Sequence, residues 1–365
     1  MKIGAIVRHL EDLAPPSYQE SYDNAGLIVG NNSWECTGVL LTLDSTEAVV
    51  DEAIAKGLNL IVAHHPIVFS GLKRFTGQNY VERTVIKAIK NDIAIYAIHT
   101  NLDNMHTGVS AKICEKLGLV NLRVLAPKTQ LLHKLIFYVP VDAAEQVRKA
   151  VFKAGAGQIG NYENCSFNVD GTGTFKATEG ANPTQGTIGS LEQPKETRIE
   201  LIYPKHLKGR VIAAMKAAHP YEEVAHEIIA IENALQTVGS GMIGELPEEM
   251  PEMEFLKHTK SSMQTACVKY TRLLGKSVKK VAVCGGSGGF LLRDAIGSKA
   301  DVFITSDYKY HEFFDANGRI VIADIGHFES EQFTAELLSA HLIEKLGNFA
   351  VAFSETRTNP VNYLT

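Results

Sequence analysis

Arg319-Ile320-Val321-Ile322-Ala323-Asp324-Ile325-Gly326-His327-Phe328-Glu329-Ser330-Glu331 passes from an apolar run into a polar joint. The run reads as a buried strand, and the apolar residues of 332–346 recur at helical spacing. Such strand-to-helix joints are where α/β proteins place their chemistry. His327 and Glu331 are four apart. If the helix starts at or just before His327, both project from one face of its first turn. An imidazole and a carboxylate so placed are a pair of metal ligands. The competing reading is a capped helix start with a solvated histidine.

The same texture fills the first 129 residues. A helix over 3–13 stops at Pro15-Pro16. Short strands follow at 27–30 and 39–43, then a helix over 47–56 closed by Gly57. The apolar strand 58–63 runs straight into His64-His65-Pro66. After a helix over 81–90, the strand 93–98 runs into His99-Thr100-Asn101-Leu102-Asp103, and a last helix covers 109–117. Near-continuous apolar strands, each followed by a helix, predict a mostly parallel sheet covered on both faces.

From 130 to 235 the pattern changes. A strand over 134–140 precedes a helix over 143–154. Asp170-Gly171, flanked by apolar residues, signals a hairpin. A Gly/Pro/Thr/Gln-rich loop fills 178–190, and a strand (198–203), a helix (207–218) and a last strand (224–231) follow. The β-α-β-β-α-β order is that of a ferredoxin-like α+β module. Its most distinctive polar run, His219-Pro220-Tyr221-Glu222-Glu223, reads better as a turn than as a binding site.

The α/β texture returns at 236–365, with strands at 265–270, 278–284 and 301–305. The expected organisation is one split α/β domain, 1–129 and 236–365, interrupted by the inserted module 130–235. Gly285-Gly286-Ser287-Gly288-Gly289 sits between a strand and a helix, either as an anion cradle or as a tight crossover. Gly239-Ser240-Gly241-Met242-Ile243-Gly244 matches G-x-G-x-x-G in letters but lacks the strand–turn–helix setting, and is expected to be a turn.

Composition narrows the partners. The 365 residues are 45% hydrophobic and 21% charged, with net charge −5. That is a globular composition with no basic run to suggest nucleic acid. No apolar stretch reaches the roughly 18 residues of a membrane span, and the N-terminus does not read as a signal peptide. The five cysteines are odd in number and lack CxxC spacing. Free thiols in a reducing cytoplasm fit best.

Three strand ends therefore carry metal-type ligands: His64 with His65, Asp103 with His99 four before it, and His327 with Glu331. In one parallel sheet their carboxyl ends would share an edge, so the three sets could meet. Adjacent histidines splay at a strand end, which suits two metals better than one, with Glu331 as the bridging carboxylate. Two ions roughly 3.5–4 Å apart would acidify a shared water and clamp an oxyanion. Asp44, at the end of strand 39–43, would support a ligand or act as a base.

Ala63-His64-His65-Pro66, His99-Thr100-Asn101-Leu102-Asp103 and Gly326-His327-Phe328-Glu329-Ser330-Glu331 resemble motifs of one family. They are joined by Asp23-Asn24-Ala25-Gly26-Leu27, Gly241-Met242-Ile243-Gly244-Glu245-Leu246 and Cys284-Gly285-Gly286-Ser287-Gly288. The family is that of the dinuclear metal centre proteins called GTP cyclohydrolase 1 type 2 homologues. The resemblance covers both outer segments, and it implies His64, His65, Asp103, His327 and Glu331 as ligands. It pairs His65 with Asp103 on one ion and His64 with His327 on the other, with Glu331 on both. It also implies a hexameric ring with inward-facing sites. In some members it implies an inserted domain like those of trimeric signal and copper-tolerance proteins.

The expected cofactor is two divalent ions per chain, zinc first, with iron, manganese or cobalt as other fits. The expected activity is metal-dependent hydrolysis, of a nucleotide-like substrate if the family name holds or of a phosphoester, with His99 or Asp44 moving protons. The alternative is a regulatory or metal-binding ring without turnover, whose inserted module senses a small ligand.

Overall fold

The computed structural model describes residues 1–364. The chain divides into two compact units, one formed by Met1–Pro127 with Thr237–Thr365 and the other by Lys128–Gln236. Among the described residues no helix is long and apolar enough to cross a membrane.

The first unit is α/β but holds two sheets, where the sequence suggested one. One is five-stranded, in the order β1 (Gly26–Val29), β4 (Ala94–Ala97), β3 (Leu60–Ala63), β2 (Val39–Thr42), β17 (Val351–Phe353). The last four are parallel and β1 is antiparallel. Every residue of β2, β3 and β4 is buried, because helices cover both faces. Leu40, Ile61 and Ile95 pack on Val49, Val50 and Ala53 of helix Glu47–Lys56 and on Val85 and Ala88 of helix Tyr80–Lys90. The alternate residues Val39, Leu41, Leu60, Val62 and Tyr96 pack on Ile3, Ile6 and Leu10 of helix Ile3–Leu13 and on Leu338 and Leu342 of helix Thr334–Leu346. Each fully buried aliphatic contributes roughly 1.5–3 kcal/mol.

The other sheet is six-stranded: β13 (Lys269–Tyr270), β16 (Val321–Asp324), β15 (Val302–Ser306), β14 (Ser277–Ser287), β12 (Leu235–Pro251), β5 (Val120–Lys128). Its centre, β14-β15-β16, is parallel, while β12 and β13 are antiparallel to their partners. The outer segments exchange strands: β5 comes from the first segment and β17 from the last. Helix Val109–Lys116 joins the two cores, with Val109 in the core of the five-stranded sheet and Ile113 in that of the six-stranded one. Periodicity reports burial but not which strands pair, so one sheet and two sheets look alike in sequence.

Three local expectations are corrected. The strand expected at 265–270 is only β13, because Thr265 turns aside and its hydroxyl donates to Ile325 O at 2.9 Å. Gly239–Gly244 lies inside β12 and is not a turn. A Cβ on Gly239 would sit 2.2 Å from Ala126 O, so the glycine serves a close strand approach. The Gly285–Gly289 segment does not open a helix directly: β14 runs through Ser287, and a 3-10 turn, Gly289–Leu291, precedes the six-residue helix Leu292–Gly297.

The 128–236 unit has an antiparallel sheet in the order β11 (His226–Ile231), β6 (Leu132–Pro140), β10 (Lys195–Pro204), β7 (Phe167–Thr172). Leu135, Phe137, Ile199, Leu201 and Tyr203 bury against Val147 and Val151 of helix Ala144–Lys153 and Val211 and Met215 of helix Lys208–Ala218. A small hairpin pairs β8 (Phe175–Lys176) with β9 (Leu191–Glu192). The hairpin turn expected at Asp170-Gly171 is absent, since both residues lie in β7 paired with Thr197 and Glu196 of β10. Asp170 Oδ1 accepts from Thr197 Oγ1 at 2.8 Å, so ladder pairing overrides the local turn signal.

Candidate metal centre

Buried strands end where their apolar runs end, and that is where the ligand-type side chains emerge. β3 stops at Ala63, so His64 and His65 splay from its carboxyl end. β4 stops at Ala97, and the short helix Thr100–Asp103 carries Asp103. β16 stops at Asp324, and helix His327–Glu331 begins at His327 behind Gly326, whose φ is 92°. The carboxyl ends of the two sheets thus bring the groups together, in place of the single edge expected.

The cluster is tight. His65 Nε2 lies 2.9 Å from Glu331 Oε2 and 3.3 Å from His327 Nε2, and His327 Nε2 lies 3.1 Å from the same Glu331 oxygen. His64 Nε2 lies 3.5 Å from Asp103 Oδ1 and 3.8 Å from Glu331 Oε1. The two Glu331 oxygens therefore face two different ligand sets. His65, His327 and Glu331 form one group able to hold a metal, and His64, Asp103 and Glu331 another. This division differs from the His65–Asp103 and His64–His327 pairs that the resemblance implied. Tetrahedral ligands about 2.05 Å from a metal stand roughly 3.3 Å apart, within the range seen here.

The donors fit a metal. His64 Nε2 and Asp103 Oδ1 are buried and have no hydrogen-bond partner among the described residues. Buried polar atoms left so are costly unless something else satisfies them. Each histidine also has its other nitrogen tied to an oxygen: His64 Nδ1 to Ile98 O at 2.8 Å, His65 to Asp44 at 2.8 Å, His327 to Asp307 at 2.7 Å and His99 to Asp23 at 2.7 Å. An oxygen partner at Nδ1 fixes the ring and leaves Nε2 as the ligand atom. His99 lies with His64 and His65 in a third group able to hold a metal. Both proton-transfer candidates are thus in the cluster, with Asp44 acting on His65.

Burial and mutual charge shift the ionisation of the cluster. Burial works against charge on His65, but Asp44 and Glu331 outweigh it and raise the pKa to about 9. Burial likewise opposes charge on His327, yet Asp307 and Glu331 raise it to about 11. Glu331 is held well below the usual carboxylate range: burial would raise it, and hydrogen bonds from the histidines dominate. Burial, then the charge of Glu331, pushes Asp103 up to about 7. Metal ligands must be deprotonated, so a metal bound here would displace protons from His65 and His327.

Sequence reasoning missed Asp307 and gave Asp23 no role. Asp307 follows directly on β15, so the strand-end rule that found Asp103 also points to it. The glycine segment packs against the cluster. Gly286 N donates to Ser330 Oγ at 2.9 Å and Gly288 N to Thr305 Oγ1 at 2.9 Å. These two amides are already used, which favours the tight crossover over the anion cradle. Gly286 has φ +62°, and a Cβ there would lie 2.5 Å from Glu331 Oε1. No sequence signal marked the C-terminal segment, where Thr358 donates to Asp44 Oδ2 at 2.7 Å and Asn359 to Glu329 at 3.1 Å. Two cavities reach the cluster, one of about 680 Å³ walled by Phe69, Phe328 and Tyr363, the other of about 220 Å³ beside Tyr22, Asp103 and Cys284.

Residues 1–360 match the family described as Duf34/NIF3 (NGG1p interacting factor 3). The chain belongs to the Duf34/NIF3 family. It is 40% identical over 364 residues to a Halalkalibacterium halodurans protein named GTP cyclohydrolase 1 type 2 homolog, covering 98% of both chains. A Bacillus subtilis protein of the same name is 40% identical over 365 residues, again with 98% of both covered. Among solved structures, a Bacillus cereus protein related to NIF3 superposes with TM-score 0.88 at 40% identity, covering 100% of this chain and 99% of the other. This Duf34/NIF3 chain thus shares its α/β architecture with that relative over nearly the whole of both chains.

Proposed function

We propose that this Duf34/NIF3 protein binds two divalent metal ions and is a metal-dependent hydrolase of a nucleotide-like substrate. The carrying observation is the cluster of His64, His65, Asp103, His327 and Glu331, in which the buried His64 Nε2 and Asp103 Oδ1 find no hydrogen-bond partner among the described residues. His64, Asp103 and Glu331 would hold one ion, and His65, His327 and Glu331 the other. Imidazole with carboxylate suits zinc first, and iron, manganese or cobalt also. When bound, such ions acidify water and polarise an electrophilic centre.

The chain's own residues supply the rest. Asp44 and Asp307 hold the imidazoles of His65 and His327 in place. Asp23 fixes His99 through Nδ1, leaving Nε2 as the basic atom, and His99 lines both cavities, where it would take or give a proton. Phe69, Phe328 and Tyr363 present apolar surface for a planar ring. The homologues' name is the support for a GTP-like substrate.

One observation favours the second reading, a metal-binding or regulatory assembly without turnover. Among the residues lining the two cavities, Lys269 is the one Lys or Arg, and it is bound to Asp324 at 2.6 Å. A polyphosphate would find little cationic grip there. Measuring metal content alongside hydrolysis of GTP, for wild type and His64→Ala, separates the readings. Metal with turnover lost in the variant supports the hydrolase, and metal without turnover supports the assembly.

We also propose that 130–235 is a ferredoxin-like module inserted into a split α/β domain of 1–129 and 236–365, which the strand order of the 128–236 unit supports. A ring of six copies in the cytoplasm follows from the resemblance and the cysteine pattern, and light scattering of the purified protein tests the ring.

A further inference from the structure

Tyr221–Glu223 and part of the loop 178–190, which the proposed metal centre leaves unused, wall a cavity of about 470 Å³ inside the 128–236 unit. That volume falls within the roughly 300–1,000 Å³ of small-molecule sites. Its floor is aromatic, with Tyr138, Phe175 and Tyr221 among the lining. The loop is tied over it at two points: Asn182 N donates to Glu222 Oε1 at 2.8 Å, and Thr184 Oγ1 donates to Pro220 O at 2.7 Å. Glu196, Glu222 and Glu223 supply carboxylates to the lining, against one ammonium, Lys176. The Tyr221 hydroxyl is shut off from solvent and lies beside the Glu196 carboxylate. Gly173 leaves room for that carboxylate, since a Cβ there would lie 2.2 Å from Glu196 Oε2.

We propose that this cavity binds a small organic cation with an apolar body, an amine carrying an aromatic or aliphatic group. Aromatic faces attract a cation and accept its apolar part, and the carboxylates supply the opposite charge. The Glu196 carboxylate in the lining is the group that an ammonium N–H would meet. An anion would meet three carboxylates and one lysine, so binding should discriminate by charge.

The test uses the full chain and three probes with one phenyl body: phenethylammonium, 2-phenylethanol and phenylacetate. Affinities are measured by calorimetric titration of wild type, Glu196→Gln and Tyr221→Ala, with labelled-tyrosine spectra locating the site. The proposal expects phenethylammonium to bind at least about tenfold more tightly than either other probe. It expects Glu196→Gln to cost about tenfold and Tyr221→Ala to abolish binding, with the changes at Tyr138 and Tyr221. Equal affinities for the three probes, or none up to about 10 mM, would overturn it. So would unchanged affinity in Glu196→Gln. If a variant does not fold, the charge series on wild type decides alone.

Discussion

Gly286→Ala probes the proposed metal centre without removing a proposed ligand. Gly286 has φ +62°, and a Cβ would stand 2.5 Å from Glu331 Oε1 and 3.4 Å from His327 Cε1. To reach 3.0–3.4 Å the Glu331 carboxylate must retreat by about 0.5–0.9 Å. Metal–ligand distances tolerate roughly 0.2 Å. Glu331 is buried and held by His65 and His327, with His64 3.8 Å from its other oxygen, so it has little room to compensate. Metal affinity should fall about 10–100-fold, as when supports around a ligand are disturbed. The left-handed backbone alone costs an alanine roughly 1–2 kcal/mol. Gly57→Ala is the matched control: its φ is +66°, and nothing lies within 4 Å of the added Cβ. Both variants should lose a few degrees of melting temperature, but only Gly286→Ala should lose metal in competition with a chromophoric chelator. Equal metal affinity in the two folded variants would refute the placement of Glu331 in the site.

Other outcomes follow from neighbouring contacts. Asp307→Asn and Asp44→Asn should each weaken metal binding about 10–100-fold with the melting temperature nearly unchanged, because each carboxylate holds an imidazole and not the metal; unchanged chelator competition would count against them as supports. Glu52 is held down to about 2: burial would raise it, and hydrogen bonds from Lys56, Ser354, Glu355 N and Thr356 prevail. Its folded value lies below the unfolded 4.5, so the clamp on residues 354–356 is in place above about pH 4.5 and is lost as pH falls toward 2. Hydrogen-exchange protection there, corrected for the intrinsic pH dependence of the amides, should fall across that window in wild type and be low throughout in Glu52→Gln; protection independent of pH in wild type would contradict the clamp. Replacing 128–236 by a short linker should leave a soluble, metal-binding core, because β5 and β12 are sheet neighbours and residues 126 and 239 already touch; an insoluble product would show that the 128–236 unit is integral.

Much of this was readable in the letters because the same physics writes both. β2, β3, β4 and β16 are buried on both faces, so their runs are continuously apolar, and His64, Asp103 and His327 stand out where those runs stop. Pairing was not readable: β5 and β17 cross between segments, and nothing in Val351-Ala352-Phe353 names β2 as its neighbour. Glycine patterns misled because letters do not show what lies opposite. Gly239 faces the backbone of β5, and the amides of Gly286 and Gly288 are taken by Ser330 and Thr305. The division of ligands between two groups is a matter of side-chain geometry, so the chain order of His64 and His65 could not supply it.

The most direct test of the central claim is metal content per chain in wild type and His64→Ala, taken with GTP turnover on the same samples. The account predicts about two ions in wild type, fewer in the variant, and turnover only where the metal is retained. A folded wild-type protein that takes up no metal, even after reconstitution with zinc, iron, manganese or cobalt, would contradict it.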